Sequence, residues 1–115
     1  MDRETLLQYV KDELNECIAM FEAKNSSYGQ DDEALHNFIV GAVLQNSTLQ
    51  QTLGGYLAKH IASVYDLINE GKDIETTRDM DIWHEKITDS IVYLSILHAI
   101  CITELHHNQP ACIKE

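Results

Sequence analysis

The sequence predicts an all-α protein, a compact bundle of about four helices built as one domain over residues 1–115. Three observations carry this reading. One proline, Pro110, and five glycines leave little of the turn chemistry that a many-stranded fold requires. Apolar residues recur at three- and four-residue spacing over long stretches, the period of a helix with one buried face. A chain of 115 residues supports a single hydrophobic core and no second domain.

Each element follows from its punctuation. Leu6, Leu7, Val10, Leu14, Cys17, Ile18 and Phe21 form one stripe of a helix running from about residue 3 to 24. It gives way to the polar run Lys24-Asn25-Ser26-Ser27-Tyr28-Gly29-Gln30. Asp31 or Asp32 caps a short second helix whose apolar side is Leu35, Phe38, Ile39, Ala42 and Val43, ending at Gln45-Asn46-Ser47. Thr48 caps a third helix carrying Leu49, Leu53, Leu57, Ile61, Val64, Leu67 and Ile68, and Gly71 stops it. Gly54-Gly55 inside that helix marks a kink or a close backbone approach. The charged stretch from Lys72 to Asp79 reads as a loop, and the last helix runs from about Asp81 to His106. Between Ile91 and Ile102 this helix is apolar nearly all round, so it is central or lies at a subunit interface.

Charge and composition exclude some classes of function. Eight Lys and Arg against nineteen Asp and Glu give a net charge of −11, which repels nucleic-acid phosphates and anionic lipid. Direct nucleic-acid binding is not expected. Nor is a membrane span, because no uninterrupted apolar run approaches the roughly 20 residues one needs. Met1-Asp2-Arg3-Glu4 does not read as a signal peptide, and Cys17, Cys101 and Cys112, odd in number, read as free thiols of a reducing cytoplasm.

Glu85 and Asp89 are the residues most suggestive of chemistry. Four apart on the last helix, they point the same way, and the line through them continues into Val92, Ile96 and Ala99. Like charges at this spacing destabilise a helix by a few tenths of a kcal/mol, more when partly buried, and a divalent cation removes the penalty. Acids near a helix start are also accounted for by the helix dipole alone. On the first helix Glu13 falls at the edge of the apolar stripe, one turn from Cys17, with Glu16 further toward solvent. Four acids from two helices make an oxygen-rich site of the kind magnesium takes, or else belong to solvated faces. Tyr28 meets a ligand or packs on the bundle, and Asn25 meets a ligand or caps the first helix. His60 and His84, adjacent to Lys59 and Glu85, line a cleft or are satisfied core histidines. Trp83 covers the acids or anchors the helix start.

The run Ala23-Lys24-Asn25-Ser26-Ser27-Tyr28-Gly29, then Lys59, then Glu85-x-x-x-Asp89-x-x-x-Tyr93, resembles small phage and prophage members of the MazG-like all-α nucleotide pyrophosphohydrolase superfamily, over about residues 5 to 100. The resemblance implies that Glu13, Glu16, Glu85 and Asp89 are catalytic and bind Mg2+, which activates water to split a nucleoside triphosphate into monophosphate and pyrophosphate. It implies that Lys24, Asn25, Tyr28 and Lys59 contact the nucleotide. It also implies a homo-oligomer in the cytoplasm, that of the host for a phage-encoded chain. Two features depart from the pattern. The second acidic pair is spaced as in the phage-type subgroup rather than as Glu-x-x-Asp, and Ala58 and Ala62 stand where that subgroup carries Asp and Arg around the lysine. The alternative is a non-catalytic acidic phage protein that binds a nucleotide signal or masks a basic surface of a host defence protein, which the charge of −11 suits.

Overall fold

The computed structural model describes residues 1–28 and 33–108, the side chains of 25–28 and 108 excepted. The described residues form an all-α arrangement of four helices, α1 (Arg3–Tyr28), α2 (His36–Gln45), α3 (Leu49–Glu70) and α4 (Thr77–Asn108). The most extensive pairing is α3 on α4, with α1 against α4 and α2 against α3. Cys17 of α1, Phe38 of α2, Leu53 of α3 and Val92, Ile96 and Ile100 of α4 form the core. By length and composition alone, α4 over Thr77–His107 is long and apolar enough to cross a membrane. It is also the helix against which both α1 and α3 pack, and a central bundle helix passes the same test.

The helix ends are held by side chains and left-handed residues. Thr5 N–H donates to Asp2 Oδ1 at 2.7 Å, capping α1. The expected cap of α3 is present as a reciprocal box: Gln51 N–H donates to Thr48 Oγ1 at 3.0 Å, and Thr48 N–H to Gln51 Oε1 at 2.9 Å. Gly71 ends α3 with φ +65°. Asn46, at φ 53°, ends α2 in a Schellman turn, with Ser47 N–H on Ala42 O and Asn46 N–H on Val43 O.

Several boundaries differ from the sequence reading. The backbone of α1 continues through Asn25-Ser26-Ser27-Tyr28, where a polar loop is expected. Leu35 occupies the cap position of α2, without a side-chain hydrogen bond, while Asp31 and Asp32 lie outside the described residues. The helix α4 starts at Thr77 because Thr76 and Asp79 cap one another: Asp79 N–H donates to Thr76 Oγ1, and the N–H groups of Glu75 and Thr76 donate to Asp79 Oδ2, all at 3.1 Å. No close approach occurs at Gly54 or Gly55, since a Cβ built at either meets nothing within 4 Å. The close contact is at Gly41, where a Cβ would lie 3.1 Å from Thr52 Cγ2 across the α2–α3 interface.

The largest difference concerns α1. Of its apolar stripe only Cys17 is buried, whereas Leu6, Leu7, Val10, Leu14, Ile18 and Phe21 are 37–58% exposed. A helix of the expected period is present, but α4 covers one edge of the stripe and leaves the rest open.

Candidate functional site

A polar seam crosses the core between α1 and α4. It begins with Thr88, Asp89 and Ser90, three consecutive buried polar residues of α4 that are 1%, 8% and 6% exposed. Burial of such groups is costly unless each finds a partner. Ser90 returns its hydroxyl proton to Lys86 O within the helix, at 2.9 Å. Thr88 and Asp89 reach across to α1.

Thr88 Oγ1 donates to Glu13 Oε2 at 2.6 Å, and Cys17 Sγ approaches the same oxygen at 3.5 Å from the next turn of α1. His84 Nε2 lies 3.3 Å from Glu13 Oε1 and 4.0 Å from Glu16 Oε1, so one histidine spans both acids of α1. Burial, and then the hydrogen bond to Glu13, push the Cys17 thiol up to about 11. Cys17 and Cys101 are free thiols.

One residue along α4, Asp89 Oδ1 accepts from Lys24 Nζ at 2.9 Å, and His60 Nδ1 of α3 lies 3.7 Å from Oδ2. The His60 ring stacks on Tyr93, centroids 4.8 Å apart and planes 23° apart. Tyr93 in turn stacks on Tyr56 at 6.4 Å, and Phe38 meets both tyrosines edge-on. This aromatic group fixes one wall of the seam. Burial raises the Tyr93 phenol above its ordinary range, with Asp89 adding to the effect and Lys24 opposing it.

The expected site residues divide accordingly. Glu13 and Glu16 converge on His84, and Lys24 and Asp89 form an ion pair. Glu85, one turn before Asp89, is exposed, and Lys59 is exposed on α3 beside His60. The side chains of Asn25 and Tyr28 lie outside the described residues. Trp83 is half-buried and lines, with Leu67 and Ile82, a cavity of about 380 Å³ at the α3–α4 corner whose lining includes neither Glu13 nor Asp89. Thr88 is the residue that sequence reasoning misses. A threonine one position before an acid carries no signal until α1 is packed against it.

The donor set is carboxylate oxygen drawn from two helices, which by its chemistry suits a hard cation such as magnesium. Among the described residues, however, no three His, Cys, Asp or Glu side chains are grouped so as to hold a metal ion. The cationic partner of Asp89 is Lys24, whose side chain is 45% exposed and so has solvent to turn into. In comparisons with known proteins, no family model matches the chain, and no curated protein or solved structure matches it.

Proposed function

We propose that the α1–α4 seam is a nucleotide site that works with magnesium to hydrolyse a nucleoside triphosphate to monophosphate and pyrophosphate. The observation that supports this is that α1 and α4 meet at two acids, one from each helix. Contacts spanning 75 and 65 positions of sequence hold Glu13 against Thr88 and Lys24 against the adjacent Asp89. Glu13, Glu16 and Asp89, with Glu85 one turn from Asp89, would hold the cation. Bound magnesium supplies neutralisation of phosphate charge and an activated water. Lys24 exchanges Asp89 for a phosphate oxygen, and Lys59, Asn25 and Tyr28 contact the nucleotide. His84 and His60 orient Glu13 and Asp89 from behind.

The test is pyrophosphate release from common and modified ribo- and deoxyribonucleoside triphosphates, with magnesium and with chelator. Magnesium-dependent release that is lost in Glu13→Gln and Asp89→Asn, with helical content unchanged, supports the reading. No release, together with no magnesium-dependent heat of nucleotide binding, overturns it.

A second reading, a non-catalytic acidic protein that binds a nucleotide signal or a basic surface of a host defence protein, is favoured by one observation. Asp89 and Glu13 already have basic partners within the chain, in Lys24 and His84. Nucleotide binding without turnover, or binding to a basic protein surface that weakens steeply with salt, selects it.

A further inference from the structure

We propose that the cavity where α3 ends and α4 begins is a binding site for a linear polyamine, an aliphatic chain carrying several ammonium groups. This inference is independent of the nucleotide reading, because neither Glu13 nor Asp89 lines the cavity. The volume of about 380 Å³ falls among those of small-molecule sites, about 300–1,000 Å³. Leu67 from the last turn of α3 and Ile82 and Trp83 from the second turn of α4 give it an apolar wall that includes an indole.

Carboxylates surround that wall. Glu70 is the last residue of α3, Asp73 and Glu75 belong to the connection, and Asp79 lies in the first turn of α4. Lys72 is the basic residue of the lining, which leaves four carboxylates against one ammonium. Among the described residues these four acids form no ion pair, whereas Asp89 has Lys24 and Glu13 has His84. The helix ends act in the same sense. No basic residue in the last turn of α3 answers the carbonyls that end there. At the start of α4 the positive end is already answered by Asp79, which accepts from the N–H groups of Glu75 and Thr76.

The arrangement of charge selects the ligand. Four carboxylates disfavour an anion. Nor do they converge as metal ligands would, since among the described residues no three such side chains are grouped to hold an ion. Charges set around an apolar wall match charges set along an apolar chain. The ammonium groups meet carboxylates, the methylenes lie on Leu67 and Ile82, and the indole of Trp83 attracts a cation to its face. A cavity of this size takes a chain of methylenes rather than the face of a basic protein.

Trp83 is the only tryptophan of the chain, so its fluorescence reports occupancy. Spermidine titrated into the full chain at fixed ionic strength is expected to change that fluorescence saturably, with calorimetry giving one site per chain. Hexaamminecobalt(III) has the same triple charge and no methylenes, and is expected to bind at least about tenfold more weakly, the equivalent of about two buried methylenes. Glu70 and Asp73 are exposed, so the double variant Glu70→Gln/Asp73→Asn should keep its helical content and weaken spermidine about 2- to 30-fold, the loss of two surface charge pairs. Glu22→Gln, on α1 outside the cavity, is expected to leave binding unchanged. Trp83→Leu, followed by calorimetry, should weaken it at least about threefold. Four results would each overturn the proposal. They are no saturable response to spermidine up to about 10 mM, equal binding of hexaamminecobalt(III), the same loss in Glu22→Gln as in the double variant, and tighter binding of acetyl-trilysine amide than of spermidine. The last would assign the cavity to a basic protein segment instead.

Discussion

Lys24 Nζ lies 2.9 Å from Asp89 Oδ1, so the last described side chain of α1 is tied to a buried carboxylate in the middle of α4. The two ends of this bond are unlike. Asp89 is almost wholly enclosed, with His60 at 3.7 Å from its other oxygen, whereas the lysine is nearly half exposed. The repulsion expected between acids brought together on two helices is answered by the protein's own cations, Lys24 at Asp89 and His84, when protonated, at Glu13 and Glu16.

That asymmetry sets the order of two substitutions. Lys24→Met removes the strong partner of an enclosed carboxylate and is expected to cost about 1–3 kcal/mol. Asp89→Asn keeps an acceptor in place for Lys24, whose side chain is 45% exposed, so its cost is expected to stay below about 1 kcal/mol. Urea unfolding of the three proteins measures both. Equal losses, or the reverse order, would contradict this asymmetry, and no loss in either variant would mean that the pair contributes nothing to holding α1 on α4.

Much of the fold was legible because it is written in local chemistry. The Thr48–Gln51 box and the left-handed Gly71 act within one turn of their own helix, and their residues announce them. The start of α4 is equally local, but Thr76 and Asp79 sit in a run of charges that reads as loop until the reciprocal hydrogen bonds are seen. In the site, Glu13 and Cys17 were recognisable as one helical turn. Thr88, and the capture of Asp89 by Lys24, depend on how α1 crosses α4, which no spacing within either helix encodes. The exposure of Leu14 and Ile18 is hidden for a related reason: periodicity shows that a face is apolar and not what covers it.

The glycines give a prediction with opposite signs. Gly54 and Gly55 lie inside α3 with open space where a Cβ would be, so Gly54→Ala and Gly55→Ala are each expected to stabilise by about 0.5–1 kcal/mol through helix propensity. At Gly41 the new methyl would sit 3.1 Å from Thr52 Cγ2. Thr52 cannot give way easily, because its hydroxyl bonds Thr48 O at 3.0 Å and Ser47 Oγ at 2.9 Å. Gly41→Ala is therefore expected to lower the melting temperature. Three thermal melts check the signs, and a rise at position 41 would show that α2 and α3 can move apart without loss.

The cap of α4 predicts a dependence on pH. Hydrogen bonds from the backbone of Glu75 and Thr76 hold the Asp79 carboxyl below its ordinary value of 3.8. A folded-state value lowered in this way contributes stability that is present above about 3.8 and is lost as pH falls through the lowered folded value. The stability gap between wild type and Asp79→Ala should thus be flat from pH 8 to 5 and close in more acidic solution. Thr76→Ala, which removes the other half of the box, is expected to cost about 1 kcal/mol at neutral pH. A gap that widens on acidification would contradict the hydrogen-bonding scheme.

Cys17 reports on the seam from inside it. Its thiol is buried, donates to Glu13, and is pushed from 9.0 to about 11, so at pH 8 its thiolate fraction is about 100-fold below that of an ordinary cysteine. Cys101 is exposed. Iodoacetamide labelling at pH 8, followed by peptide mass spectrometry, should modify the exposed Cys101 well before the buried Cys17. The same shift has a sign for folding. A raised folded-state value gives stability that is complete below pH 9.0 and is lost as pH rises through about 11. Glu13→Gln removes the charge that disfavours the thiolate and weakens the acceptor of its proton, so Cys17 in that variant should label faster while Cys101 is unchanged. If instead Cys17 and Cys101 label alike in the folded wild type, Cys17 is not buried between α1 and α4 and the alignment that builds the seam is wrong; if Glu13→Gln leaves Cys17 as slow as before, burial alone holds the thiol up.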